Sequence, residues 1–309
     1  MLLHSGLAFY FEWEVRLMRF LQSYMGGFGI SLATLATFLG EVVVGVGIMG
    51  FIYWCWDKDM GRFVAMNILM ALAIDNLIKD IFTRLRPYFV HEEIKCLRPV
   101  KAVADIYDIR AQGYSFPSAH SATAVSLYSS IGIYTKKKWL IVLGIVLPLL
   151  VGLSRVCLGV HYPTDVLFGW LTGLLAILIV PWLFKKIGNR VIVYAIMIGV
   201  TIPGWFFAEG VDYYTSFGSM LGFILGNEFE IHYVDFENTR KPRACVLRLL
   251  GGVLIYGVLS FLLKLPFDKS YLDSVCFGSH LIRAARYTII LFVCIGLYPH
   301  LFRKLKFLH

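Results

Sequence analysis

The sequence predicts an all-α, polytopic transmembrane helix bundle of about nine spans, six of them forming a core, and three observations predict it. The 309 residues are 58% hydrophobic and only 16% charged, and the mean hydropathy is +0.71. A soluble domain of this length leaves too much of its surface in water to hide so much apolar material, so much of the solvent must be lipid. Apolar runs long enough to cross a bilayer, which takes roughly 20 residues, recur near 28–53, 62–83, 117–135, 139–156, 161–184, 190–208, 213–228, 245–264 and 285–302. Finally, 7 Trp, 17 Tyr and 24 Phe can supply aromatic belts at two interfaces.

The elements follow in order. Residues 1–25 carry Glu12, Glu14, Arg16 and Arg19 among aromatics, and read as an amphipathic helix on the membrane surface rather than a cleavable signal peptide. The apolar runs must be helices, because an open sheet edge cannot face lipid. No internal repeat is evident. The expected division is an interfacial segment over 1–27, a membrane core over 28–208 and a C-terminal transmembrane extension over 209–309.

The formal net charge is +9. Its basic residues sit in short clusters between apolar runs, such as Lys136, Lys137 and Lys138, or Lys185 and Lys186. That is the pattern of topology-setting loops and not of a nucleic-acid-binding tail. Arg190 and the tail residues Arg303, Lys304 and Lys306 extend it. By the positive-inside rule these loops face the cytoplasm. The six cysteines lack metal-site spacing; Cys96 and Cys276 fall in loops on one side, and whether they pair is left open.

Polar residues within the runs are costly and usually face a polar cavity: Glu41, Asp75, Asn76 and Lys79 are of this kind. Asp75 and Lys79, four apart, could pair on one helix face. Three motifs then stand out. In the first, Lys79 and Arg86 are seven apart, two turns on one face with Cα atoms ~10 Å apart along the axis, and Pro87 is expected to end the helix. In the second, Pro117-Ser118-Ala119-His120, Ser118 is a natural N-cap and the free N–H groups of the first turn can hold an anion. The third joins Ser154-Arg155 through Gly159 to His161 and Asp165, with Pro163 suited to the first turn of a new helix. Asp165 reaches His161 if helical geometry extends back that far. Counting crossings, all three motifs lie on one side of the membrane.

This ordered set resembles the type-2 phosphatidic acid phosphatase superfamily, whose pattern is Lys-x6-Arg-Pro, Pro-Ser-Gly-His and Ser-Arg-x5-His-x3-Asp. The resemblance covers about residues 62–185. It implies that Lys79, Arg86 and Arg155 hold a phosphate with Ser118 and nearby backbone N–H groups, including that of Ala119. It implies that His161 is the nucleophile, Asp165 orients it and His120 protonates the leaving oxygen. Ala119 stands where the family has glycine; it keeps the N–H donor but loses access to positive φ, and retained chemistry is expected. The last hundred residues look only loosely like the extra helices of sphingosine-phosphate phosphatases and some bacterial relatives.

The chemistry is coherent in its own terms. A phosphate dianion needs fixed cations before it accepts a nucleophile, two histidines can divide the nucleophile and acid roles, and an aspartate can fix a tautomer. No carboxylate–histidine cluster suggests a metal, and no cofactor is expected. The expectation is an integral membrane hydrolase that removes phosphate from a lipid phosphate monoester or pyrophosphate through a phosphohistidine. Its site faces the extracytoplasmic or lumenal side. Its partners are the lipid substrate and membrane lipids, without nucleic acid and with the oligomeric state open. The alternatives are a phosphatase of a small soluble phosphate such as glucose 6-phosphate, or a non-catalytic lipid-phosphate binder or transporter. Vanadium haloperoxidases share the motifs, but they are soluble.

Overall fold

The computed structural model describes residues 6–308, apart from the side chain of Lys306, one of the basic tail residues. Residues 1–5 of the expected interfacial segment also lie outside the described part. The architecture is helical, with a single parallel bridge pairing Leu7 and Arg84 among the described residues. In chain order the helices are α1 (Glu12–Ser23), α2 (Gly27–Phe38), α3 (Val42–Trp56) and α4 (Lys58–Phe82). Then comes α5, which runs from Ala119–Ala124 through a π turn at Val125–Ser129 into Ser130–Thr135. After it come α6 (Lys138–Cys157), α7 (Pro163–Ile187), α8 (Arg190–Phe206), α9 (Val211–Phe229), α10 (Pro242–Leu262) and α11 (Phe277–Lys304).

Every expected apolar run is helical, but length and apolarity alone qualify fewer of them as spans. Among the described residues, five helices (α4, α6, α7, α10 and α11) are long and apolar enough to cross a membrane, and a sixth span arises if α2 and α3 are counted together. The run at 28–53 is therefore not one straight helix: it bends by 44° between α2 and α3. The break is stabilised locally. Tyr128 Oη donates to the Leu39 carbonyl at 2.8 Å, satisfying a group the break frees. Gly40 allows close approach, since a Cβ there would meet the His120 carbonyl at 3.2 Å and Val151 Cγ1 at 2.7 Å.

Local chemistry explains the other elements. Asp57 caps α4 by accepting from the backbone N–H groups of Asp59 (3.0 Å) and Met60 (2.9 Å). Pro148 lies inside α6, where it removes the hydrogen bond to the Gly144 carbonyl. Ser129 of α5 replaces it, donating to that carbonyl at 2.6 Å, so a membrane proline is tolerated by a neighbouring hydroxyl. In the extension, α9 and α11 pack through a stripe the sequence reading missed: Gly218, Gly222 and Gly226 recur every fourth residue. A Cβ on Gly218 would meet the Ala284 carbonyl at 2.2 Å, and one on Gly222 the Thr288 carbonyl at 2.4 Å. Small residues at this spacing let two membrane helices touch backbone to backbone.

The largest core cluster joins α3, α4, α7, α8, α9, α10 and α11, including Met66, Met70, Met220 and Ile290. A second links α3, α4, α5 and α6 through Val64, Leu127 and Val151. At the end of α4 away from the three motifs, buried Glu230 binds Lys58 at 3.3 Å and also pairs with Arg62, tying the extension to the core. Outward faces carry exposed apolar side chains, such as Ile145 and Leu149 on α6 and Leu250 and Leu254 on α10, as a lipid-facing surface requires.

The N-terminal segment forms an amphipathic helix, α1, with two distinct faces. One face of α1 is docked on the bundle, with Glu14, Val15 and Met18 buried. The opposite face leaves Trp13, Leu17 and Phe20 exposed. All six cysteines are free, so Cys96 and Cys276 do not pair.

Candidate active site

The first motif does not lie on one continuous helix. α4 ends at Phe82, and Thr83 takes a left-handed conformation, with φ 43°. The chain then runs extended, held by Leu7 N–H to the Thr83 carbonyl (2.9 Å) and Leu85 N–H to the Leu7 carbonyl (3.1 Å). Arg86 is extended because proline disfavours helical geometry in the residue before it, and Pro87 begins a single turn, Pro87–Val90, rather than ending α4. Lys79 and Arg86 thus reach the site from a helix end and from a strand-like segment, not from two turns of one face.

The third motif also meets by a different route. Tyr162 is the extended N-cap of α7, so helical geometry does not reach His161. Asp165 instead turns back over the helix start, and its Oδ2 accepts from Tyr162 N–H at 2.8 Å. The same oxygen lies 3.5 Å from His161 Nδ1. The other ring nitrogen, Nε2, lies 3.4 Å from Arg86 Nη1. His161 sits between its aspartate and a guanidinium, almost wholly buried. Gly159 permits the loop before it: its φ is +77°, and a Cβ would meet the Lys95 carbonyl at 2.2 Å.

Three cations converge on the two histidines. Arg86 donates to the carbonyls of Gln112 (3.0 Å), Gly113 (2.9 Å) and Val160 (2.9 Å). Arg155 donates to Thr37 Oγ1 at 2.8 Å, while its buried Nε has no hydrogen-bond partner. Lys79 is half-buried at the end of α4; Asp75, its expected partner, accepts instead from Thr172 Oγ1 at 3.2 Å. Among the described residues none of these three cations is in an ion pair, yet all three act electrostatically on His120 and His161. Burial, then Arg86, Arg155 and Lys79, push His161 well below the ordinary imidazole value. The ring is therefore neutral, with a lone pair at the nitrogen that faces Arg86 if Nδ1 carries the proton toward Asp165. Glu41, one of the polar residues within the apolar runs, pairs with Arg98 of the 88–116 loop, and Arg98 also donates to the Thr34 carbonyl at 2.9 Å.

The second motif opens α5 beside them. Ser118 holds the N-cap position, but its hydroxyl accepts from Ser121 Oγ at 2.9 Å and makes no capping bond. Its own N–H donates to the Asp165 carbonyl at 2.9 Å, which fastens the second motif to the third. Ala119 is the first helical residue and is not among the positive-φ positions, so glycine's extra freedom is not needed there.

The sequence reading overlooked Arg84, Glu14 and Thr164. Arg84 is 1% exposed, and its Nη1 donates to Asp165 Oδ1 at 2.5 Å. Its Nη2 donates to the fully buried Glu14 at 2.8 Å. The signal for Arg84 lay between Lys79 and Arg86, as a second arginine two residues before Arg86. Glu14 gave none beyond being an acid in an aromatic-rich segment.

With this geometry in place, comparison with known proteins is decisive. A family model described as the PAP2 superfamily matches residues 61–189, and one described as PAP2 superfamily phosphatase, transmembrane extension, matches residues 214–308. Phosphatidylglycerophosphatase B of Bacillus subtilis is 30% identical over 172 residues, which cover 52% of this chain and 74% of that protein. This chain belongs to the PAP2 superfamily. An undecaprenyl-diphosphatase of Sulfolobus acidocaldarius is 32% identical over 116 residues, 38% of this chain; the match spans about half, 51%, of that relative's length. A solved structure, of the first transmembrane PAP2 type phosphatidylglycerolphosphate phosphatase from Bacillus subtilis, overlaps 57% of this chain and 86% of its own at 25% identity, with a TM-score of 0.44. Within this PAP2 protein, the first matched segment contains all three motifs and the second begins inside α9.

Proposed function

We propose that this PAP2 protein hydrolyses a lipid phosphate monoester or pyrophosphate through a phosphohistidine at His161, without a metal. One observation carries the reading: among the described residues Lys79, Arg86 and Arg155 make no ion pair, and Arg86 Nη1 lies 3.4 Å from the ring nitrogen of a neutral His161. Arg86 and Arg155, 4% and 3% exposed, are costly to bury uncompensated, and a phosphate dianion is the group that would offset them and the half-buried Lys79. In this reading the three cations, the Ser118 hydroxyl and the Ala119 N–H bind the non-bridging oxygens, the Ser118 N–H being taken by the Asp165 carbonyl. His161 Nε2 attacks phosphorus, the bond to the leaving oxygen breaks, and His120 gives that oxygen a proton. His120 then takes a proton from water, whose oxygen attacks phosphorus and breaks the P–N bond, releasing phosphate. Asp165 holds the Nδ1 proton and stabilises the positive ring.

A lipid is favoured over a sugar phosphate by the fate of Gln112, the only Asn or Gln side chain in the 88–116 loop. Its Oε1 accepts from Val100 N–H (2.9 Å) and Lys101 N–H (3.1 Å), and its Nε2 donates to the carbonyls of Lys101 (3.1 Å) and Asp105 (3.2 Å). All its bonding capacity is spent on the loop, leaving none to read sugar hydroxyls. Relatives named for undecaprenyl diphosphate, phosphatidylglycerophosphate and lipid A agree with that choice. In nanodiscs, long-chain lipid phosphates should give a higher kcat/KM than glucose 6-phosphate. Turnover should survive EDTA, and vanadate should inhibit. A higher kcat/KM for the sugar phosphate overturns the substrate class, and loss on chelation restored by magnesium or zinc overturns the metal-free step.

The proposed orientation puts this site on the extracytoplasmic or lumenal side. The clusters at Lys136–Lys138 and Lys185–Arg190 join the ends of α5 to α6 and of α7 to α8, opposite His120 and Asp165. With the exposed Cys276 replaced by serine, a Lys137→Cys variant should resist a membrane-impermeant thiol reagent in intact cells. Rapid labelling there would reverse the orientation.

A further inference from the structure

We infer that Glu14, from the N-terminal helix outside the matched catalytic segment, is a positioning residue that sets the charge and orientation of Asp165 through Arg84. The inference rests on the reading of Asp165 as the group that orients His161.

Hydrogen bonds join Glu14, Arg84 and Asp165, and Asp165 Oδ2 lies 3.5 Å from His161 Nδ1, a buried atom that makes no hydrogen bond among the described residues. Asp165 Oδ2 faces His161 and Tyr162 N–H, while its Oδ1 is held by Arg84 Nη1 at 2.5 Å. Arg84 is fixed in turn: Nη2 donates to Glu14 Oε2 (2.8 Å), Nε to the Phe9 carbonyl (2.8 Å) and Nη1 also to Thr164 Oγ1 (2.7 Å). Its guanidinium lies over the Tyr162 ring, 4.0 Å from the centroid. Glu14 Oε1 accepts from Thr164 N–H (3.0 Å) and Thr164 Oγ1 (2.6 Å), so it also satisfies an orphan donor in the first turn of α7. Its Oε2 accepts from Phe11 N–H at 2.9 Å. Glu14, Arg84 and Asp165 are each at most 1% exposed.

The docking of α1 looks built for this. Gln22, about two turns on, donates to the carbonyls of Lys95 (2.9 Å) and Cys157 (3.2 Å), beside Gly159. The Leu7–Arg84 bridge fixes the other end.

Charge gives the relay its consequence. One guanidinium shared by two carboxylates leaves the pair with a net negative charge. Asp165 therefore keeps the field it needs to stabilise positive charge on His161 as the nitrogen attacks. With Glu14 neutral, Arg84 would compensate Asp165 alone and weaken that field. The phosphate-facing cations Lys79, Arg86 and Arg155 make no hydrogen bond to Glu14 or Arg84, so ground-state binding should be spared.

The test is a double-mutant cycle with Glu14→Gln and Asp165→Asn. Glu14→Gln should lower kcat by about 10-fold, as loss of a partner that orients a reacting group does, with KM changed less than about 2-fold. In the Asp165→Asn background the same change should have no further effect. Equal losses in both backgrounds, or wild-type kcat in Glu14→Gln, overturns the inference. If Glu14→Gln fails to fold, the paired apolar replacement Glu14→Met with Arg84→Met keeps the packing; wild-type kcat in that variant overturns it too. A readout independent of turnover separates this inference from the proposed activity. In protein carrying 15N-labelled histidine, with the His161 signal assigned by its loss in His161→Asn, the Nδ1 resonance should move in Glu14→Gln. An unmoved resonance overturns the relay even if the wild type is an active phosphatase, and a moved one supports it even if no lipid phosphate is turned over.

Discussion

His161→Ala should abolish phosphate release, with kcat down by at least about 10⁴-fold, because deleting the proposed nucleophile leaves only binding and charge stabilisation. The variant should still bind substrate, since Arg86 keeps its three backbone carbonyls and Arg155 its bond to Thr37. Wild-type protein mixed with labelled substrate and quenched in alkali within milliseconds should carry label on the chain, and brief acid treatment should remove it. Full activity in His161→Ala would sink the assignment. The pH profile adds a check. Because the buried ring and its three cationic neighbours hold His161 well below the usual imidazole value, the neutral form persists as pH falls. The acid limb of kcat/KM, corrected for the substrate phosphate's own ionisation near pH ~6, should therefore lie below the ordinary histidine range. A limb within that range would contradict the geometry.

Arg84→Ala should be the most destabilising substitution at the site. It leaves two fully buried carboxylates, Glu14 and Asp165, facing each other without a cation. Breaking a buried pair from one side costs about 3–5 kcal/mol, so thermal unfolding in detergent should shift down by at least about 5 °C. Activity should fall with it, since Asp165 loses the bond that fixes Oδ1. Arg84→Lys should rescue little: one ammonium cannot reach Glu14, Asp165, Thr164 and the Phe9 carbonyl in the planar fork that a guanidinium provides. A stable, active Arg84→Ala protein would show that the network contributes neither to folding nor to turnover.

Both predictions bear on how much was legible in the chain alone. Hydropathy located each helix, because a membrane-facing helix must be apolar along most of its length and its neighbours need not be known. It could not see the 44° break between α2 and α3, which depends on Gly40 meeting His120 and on Tyr128 satisfying the Leu39 carbonyl. Motif spacing collected Lys79, Arg86, Ser118, His120, Arg155, His161 and Asp165 at one end of the bundle, because crossing parity is a property of order.

The routes between those residues were another matter. The spacing of Lys79 and Arg86 suggested one helix face, but Thr83 turns left-handed where Leu7 pairs with the backbone on either side of Arg84. The spacing of His161 and Asp165 suggested a helical turn, and a cap supplies the contact instead. The sequence by itself therefore determined the helical class and the end of the bundle at which the motif residues gather. Only the tertiary structure decided that, among the described residues, Arg86 and Arg155 make no ion pair while Arg84 makes two. Partner choice among like charges depends on distances of a few ångströms between segments that are 70 and 81 residues apart in the chain, and no local pattern encodes that.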